Sequence, residues 1–261
     1  MKSIICSLMF IFIFILSFGQ TSFKVIKVNG DIVLKAKGVS LETGTVFSEK
    51  EELMFRTEDA TAAVINSQKG RLILTGKNHD LSTASSNYLP SMYNISTRGS
   101  GALASLKDLQ AHFSGNYVVL GREKIEINSN NFPLSDENFF FLKYAYKGES
   151  INKKLDHIKD TLIIDKKTLF IIDGKQIPGP DNTNISLFYK KGADYMLINS
   201  FNLIFPDLQQ IRKEIQVILD EYKNKPEKDK ISEITYYINE FYGKTDKKNL
   251  ETWLGNTYGL K

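Results

Sequence analysis

Between residues 24 and 75 the apolar positions come in runs of three or four, each closed by a turn signal. Val25-Ile26-Lys27-Val28 leads into Asn29-Gly30, a strong hairpin dipeptide, and Ile32-Val33-Leu34 is read as the return strand. Lys37-Gly38 marks the next turn, and Leu41, Gly44 and Val46-Phe47 form another short stretch. Leu53-Met54-Phe55, Ala62-Ala63-Val64-Ile65 and Leu72-Ile73-Leu74 complete the series, with Lys69-Gly70 turning between the last two. Strands this short, with turns at roughly 8–12-residue spacing, predict a small all-β unit over residues 20–75.

The pattern then changes twice. Residues 76–104 are rich in Ser, Thr, Asn and Gly and read as a polar connector, long enough to serve as a crossover or a binding loop. From 105 to 205, period-two alternation dominates. Ser105 caps an expected helix through Phe113, with Asp108 in its first turn. Tyr117-Val118-Val119-Leu120 and residues 124–128 read as strands. In the aromatic run 139–146, Phe140, Leu142, Tyr144 and Tyr146 fall on one face. Hairpins are expected between Leu162-Ile163-Ile164 and Leu169-Phe170-Ile171-Ile172, and between residues 185–189 and 195–198. From 206 the period becomes helical. Leu208, Ile211, Ile215, Ile218 and Tyr222 make an apolar stripe behind Pro206. A second helix carries Ile231, Ile234, Ile238 and Phe241 behind a cap at Asp229, and a short third one follows Thr245 or Asp246. The tail 206–261 is expected to pack on the preceding sheet. The fold class is α+β, with a small all-β N-terminal unit, a mixed and mostly antiparallel sheet domain, and C-terminal helices.

The first 19 residues carry a different message. Met1-Lys2-Ser3 precedes an almost purely apolar run over residues 4–18, and Ser17-Phe18-Gly19 supplies small residues where a signal peptidase reads. The run is short of the roughly 20 residues that span a bilayer. Cleavage after Gly19 is expected, which places the mature chain in the periplasm or outside the cell; membrane attachment arises only if the leader stays on. The one cysteine, Cys6, lies in the leader. Thiol chemistry, disulfides and a cysteine zinc site are therefore excluded from the mature chain. A formal charge of +4 over 261 residues, with no concentrated basic block, argues against nucleic acid.

Four stretches share a pattern with a known family. They are V-x-G-D-I at Val28 to Ile32, L-x-x-G-T-x-F at Leu41 to Phe47, L-x-F-x-T at Leu53 to Thr57, and A-A-V-I-N-x-x-K-G-R-L-I-L at Ala62 to Leu74. Residues 24–75 resemble the FecR-type β domain. The resemblance implies an extracytoplasmic β fold and an envelope location. It does not extend to sigma-factor regulation, because the remaining residues show neither a cytoplasmic helical domain nor an internal membrane span.

No catalytic constellation stands out. His79, His112 and His157 form neither an H-x-x-x-H nor an H-E-x-x-H pattern, and no nucleophile elbow is present. Asp181-Asn182-Thr183-Asn184 offers oxygens at short spacing but reads as a turn rather than a calcium loop. The aromatic run reads as core rather than as a sugar-stacking platform. No catalytic residue, cofactor or metal ligand is assigned. The candidate partner-binding residues are Tyr88, Tyr93 and Arg98 in the connector. The expected function is a non-catalytic envelope binding or scaffold module for a protein or glycan partner. The alternatives are a polymer hydrolase using a carboxylate pair, such as one drawn from Glu149, Asp156, Asp160 and Asp165, and a sensor subunit whose helical tail docks a membrane receptor.

Overall fold

A computed structural model describes residues 22–76 and 101–261; the leader 1–19 lies outside the described residues. The fold class is α+β, with mostly antiparallel sheets and helices gathered at the C-terminus. The chain divides into two units: one runs to Leu89 and includes Lys213–Asn224, and the other comprises Pro90–Arg212 and Lys225–Lys261.

The first unit holds two small sheets. In one, β4 (Val46–Ser48), β1 (Ser22–Asn29), β6 (Thr61–Asn66) and β7 (Gly70–Thr75) lie in that order. In the other, β3 (Val39–Ser40), β2 (Ile32–Leu34) and β5 (Leu53–Phe55) are neighbours. Phe23, Val25, Ile32, Leu34, Phe47, Val64 and Leu74 close a common core. The β6–β7 hairpin is built as the sequence predicts, with Asn66 Oδ1 accepting from the backbone N–H groups of Gln68 and Lys69.

The Asn29-Gly30 hairpin does not form. β1 pairs with β4 and β6, whereas β2 pairs with β3 and β5, so this turn carries the chain from one sheet to the other. The cause lies beyond the dipeptide. Thr57 Oγ1 accepts from the Asp31 N–H at 2.9 Å, and the Arg56 N–H donates to the Asp31 carbonyl at 2.9 Å. These bonds recruit the return segment to β5. Gly30 sits at φ +80°, and a Cβ there would lie 2.4 Å from Thr57 Oγ1 and 2.9 Å from Ala60 Cβ. Gly30→Ala should therefore destabilise the protein by about 2 kcal/mol or more, the left-handed backbone alone accounting for about half. Urea unfolding measures this directly, and an unchanged midpoint would contradict it.

A bulge between Val25 and Lys27 keeps Val28 on the core side of β1 and turns Lys24, Ile26 and Lys27 to the opposite face. Residues 213–224 lie there. Lys27 meets the fully buried Glu214 at 3.3 Å, and Lys24 meets Asp220 at 3.3 Å. Ile26, Ala63, Ile65, Ile215 and Ile218 are all buried. The tail thus does not keep wholly to the preceding sheet. Lys213–Asn224 clusters with the N-terminal unit, because its stripe finds an apolar sheet face carrying two matching lysines.

The second unit is a sandwich with helical additions. Its main sheet has the order β11 (Glu149–Lys154), β10 (Asn138–Tyr146), β16 (Asn184–Lys191), β17 (Asp194–Ile204), β8 (Asn116–Val118). The last pair is parallel and the rest are antiparallel. A three-stranded sheet of β12 (Asp156–Ile158), β13 (Thr161–Asp165) and β9 (Arg122–Glu126) faces it. Phe140, Leu142, Tyr144, Leu187 and Phe201 from the main sheet meet Ile125, Leu162 and Ile164 from the smaller one. Helix α1 (Leu106–His112) adds Leu109 to this core. Its capping box is complete, with Ser105 and Asp108 bonding each other's backbone N–H.

The hairpin expected around residues 165–167 is instead one helical turn, α2 (Lys166–Leu169). Asp165 accepts from the Lys167 N–H and caps it, so β13 pairs with β9 and β12. The strand that follows, β14 (Ile171–Ile172), pairs with β15 (Lys175–Gln176) across Asp173-Gly174. Helix α3 (Leu208–Glu221) is started by Asp207, whose carboxylate accepts from the N–H groups of Gln209 and Gln210. Helix α4 (Glu227–Phe241) begins directly after Pro226, so Asp229 sits in its first turn rather than at its cap. Helix α5 (Lys247–Tyr258) is capped by Asp246. Between α4 and α5 the backbone of Lys244 exchanges hydrogen bonds with Asn116 and Val118 of β8, both at 2.8 Å. That close approach requires Gly243, where a Cβ would lie 2.4 Å from the Asn116 carbonyl oxygen.

Candidate functional site

Strand β10 places its side chains alternately on two faces. Phe140, Leu142 and Tyr144 enter the core, as the alternation predicts. Phe139, Phe141 and Lys143 point the other way and remain partly or fully open. The aromatic run is therefore only half core.

Strand register extends that outer face across the sheet. Phe141 lies opposite Lys154 of β11 on one side and Phe188 of β16 on the other, and Phe188 lies opposite Leu197 of β17. The neighbouring row is Phe139, Lys190 and Tyr195. The row on the other side is Asn152, Lys143, Ser186 and Ser200, with a 2.8 Å hydrogen bond between the two serines. The bulge at Leu187/Phe188 holds this alignment by absorbing Ile198 into the core.

The rings form one cluster. Phe141 and Phe188 stack at 5.1 Å with 9° between planes. Tyr195 meets both edgewise, at 6.5 and 6.2 Å, and Phe139 meets Phe141 at 6.3 Å. Tyr195 is 71% exposed and Leu197 49%. The ammonium groups of Lys154 and Lys190 stand 4.6 and 5.4 Å from the Phe139 ring centre. Lys154 also reaches Asp136, in the preceding turn, at 3.1 Å. Lys190 is held by the carbonyls of Glu137 and Gly192. On the outward strand positions of these three rows, three lysines stand and no carboxylate does. Apolar clusters of this kind on a solvated sheet face mark interaction sites.

A second cluster is buried. The Tyr117 hydroxyl lies 2.8 Å from His112 Nε2 and donates to Glu123 Oε2 at 2.7 Å. With that proton committed to Glu123, His112 Nε2–H donates to the Tyr117 oxygen. Glu123 is 2% exposed. Burial, reinforced by the charge of Asp246 and opposed by the Tyr117 hydrogen bond, pushes its carboxyl up to about 8. Burial holds His112 down to about 4, opposed by Asp246 and reinforced by Lys244. Burial likewise raises the Tyr117 phenol and lowers the Lys244 ammonium. The group beside them, lined by Leu120, Arg122, Glu123, Thr245, Asn249 and Leu250, encloses a crevice of about 10 Å³, room for a single water. Asn249, on its wall, bonds the backbone N–H and carbonyl of Lys124. This is a neutral, proton-sharing joint between α1, β8, β9 and α5, with no space for a polymer.

Tyr88, Tyr93, Arg98 and His79 lie outside the described residues. His112 is spent on Tyr117, while His157 bonds the Lys159 carbonyl on the smaller sheet. Among the described residues no group of three or more His, Cys, Asp or Glu can hold a metal ion. Asp181 accepts from the N–H groups of Lys147 and Gly148, which lower its pKa and dedicate it to the β10–β11 turn. Of the carboxylates weighed for hydrolysis, Asp165 caps α2, and Glu149, Asp156 and Asp160 are exposed. No family model, curated protein or solved structure matches the chain. The candidate site therefore rests on geometry alone. Among the described residues no helix is long and apolar enough to cross a membrane.

Sequence reasoning missed the outward rings because it assigned the whole aromatic run to the core. The signal was present: if Phe140, Leu142 and Tyr144 share one face, Phe139 and Phe141 must share the other. Phe188 and Tyr195 could join them only through strand pairing.

Proposed function

We propose that the protein is a non-catalytic envelope module, periplasmic or secreted, that binds a protein or glycan partner through the outer face of its main sheet. One observation carries this reading: Phe139, Phe141, Phe188, Tyr195 and Leu197 adjoin one another across three strands outside any core. The leader pattern and the FecR-type resemblance of residues 24–75 support the envelope location. Against the receptor-docking alternative stands the stripe it would use, in which Ile211 and Ile215 are buried and Leu208 is half-buried.

The test compares the mature protein, tagged after Lys261, with its Tyr195→Ser/Leu197→Ser variant on the envelope fraction of the source cells. Both side chains are exposed, so both proteins should melt within about 3 °C of each other. Wild type should retain an envelope component that the variant releases. Equal retention by both, or retention by neither, would overturn the assignment.

A further inference from the structure

The chemistry of the same face narrows its partner, and this step rests on the binding reading above. We infer that the face accepts a carboxylated polysaccharide chain. Three kinds of group are interleaved on it. Lys154, Lys143 and Lys190, on three adjacent strands, surround the Phe141–Phe188 stack; the outward strand positions supply no carboxylate, and Asp136 of the preceding turn pairs with Lys154 alone. The complementary ligand is anionic. Tyr195 and Leu197 expose apolar surface beside the stack, which suits the C–H face of a pyranose ring. Asn152, Ser186 and Ser200 fill the next row with neutral groups that donate to and accept from hydroxyls. A ligand rich in carboxylates, apolar ring faces and hydroxyls satisfies all three.

The alternatives fit less of the surface. An acidic peptide would meet the lysines and could bond the polar row through its backbone, but it offers no hydroxylated ring with a C–H face to lay on Tyr195 and Leu197. An anionic lipid surface would gain little from the Phe141–Phe188 rings, whose faces are turned to each other, and nothing from the polar row. The rows run across four adjacent strands, which suits a chain polymer better than a small sugar.

The test is affinity electrophoresis of the mature protein at low salt in gels containing polygalacturonate, neutral dextran or poly-L-glutamate. Flotation with phosphatidylglycerol vesicles runs in parallel. Polygalacturonate should retard the protein, and the effect should fade with added salt. Lys143→Glu/Lys154→Glu should weaken the interaction about tenfold, and Tyr195→Ser should weaken it severalfold without moving the melting temperature. Dextran and the vesicles should have little effect. Retardation by dextran or by poly-L-glutamate equal to that by polygalacturonate would overturn the inference, as would vesicle binding without polygalacturonate binding. Failure here with patch-dependent retention of an envelope component would reject the polysaccharide and leave the binding face standing. Loss of both would reject both.

Discussion

Tyr117→Phe should cost roughly 2–4 kcal/mol of stability, although it removes a single oxygen. The Tyr117 ring is fully buried and packs against Phe113 and Phe201 at 5.2 and 5.9 Å, and phenylalanine keeps those contacts. The hydroxyl is different. It is the hydrogen-bonded partner of both His112 Nε2, at 2.8 Å, and Glu123 Oε2, at 2.7 Å. Removing it strands the buried Glu123 carboxyl and the half-buried His112 ring, at roughly 1–3 kcal/mol for each buried group left unpaired, and the adjacent crevice has room for one water at most to repair the loss. Chemical denaturation near pH 6 measures the difference. A loss below about 1 kcal/mol would show that the chain of bonds contributes little. A second consequence separates this from a packing defect. The Tyr117 bond lowers the Glu123 pKa, so the variant should hold that proton to higher pH than wild type does.

The second large effect is on pH dependence. Glu123 binds its proton more tightly in the fold, at about 8 against an ordinary 4.5, so the stability it contributes is complete below pH 4.5 and declines as pH rises towards 8. His112 has the opposite sign. At about 4 in the fold against an ordinary 6.5, it contributes fully above pH 6.5 and loses that contribution as pH falls towards 4. Between pH 4.5 and 6.5 the two slopes cancel. Of these two groups only Glu123 acts above 6.5, and its contribution should fall by roughly 2 kcal/mol between pH 6.5 and 8. Glu123→Gln keeps the shape of the neutral acid and carries no titrating proton. Its stability should not show that decline, so it should overtake wild type on the alkaline side. A variant that declines in parallel with wild type would assign the pH dependence elsewhere.

Local pattern carried much of the fold. Ser105 and Asp108 announced α1, and the β16–β17 hairpin followed from Lys190-Lys191-Gly192 between two apolar runs. Where the reading failed, a non-local partner decided. Asn29-Gly30 has the chemistry of a hairpin, but Thr57 and Arg56 hold Asp31 against β5. The stripe of α3 showed that a face would be buried, not that Lys24 and Lys27 would meet Asp220 and Glu214. The same distinction governs the candidate site. Period two in β10 determines that Phe139 and Phe141 share a face, but only register brings Phe188, Tyr195 and Lys154 beside them. The buried joint was less legible still, since His112, Tyr117 and Glu123 look ordinary until α1, β8 and β9 are packed.

Site-specific photocrosslinking in the source cells tests the outer sheet face most directly. A benzophenone side chain replaces Tyr195 in one strain and Ile158 in another. Both positions are exposed, at 71% and 60%, but Ile158 lies on β12 of the smaller sheet. A discrete adduct with an envelope component is expected from position 195 and none from position 158. An adduct from position 158 alone, or from neither position, would contradict this.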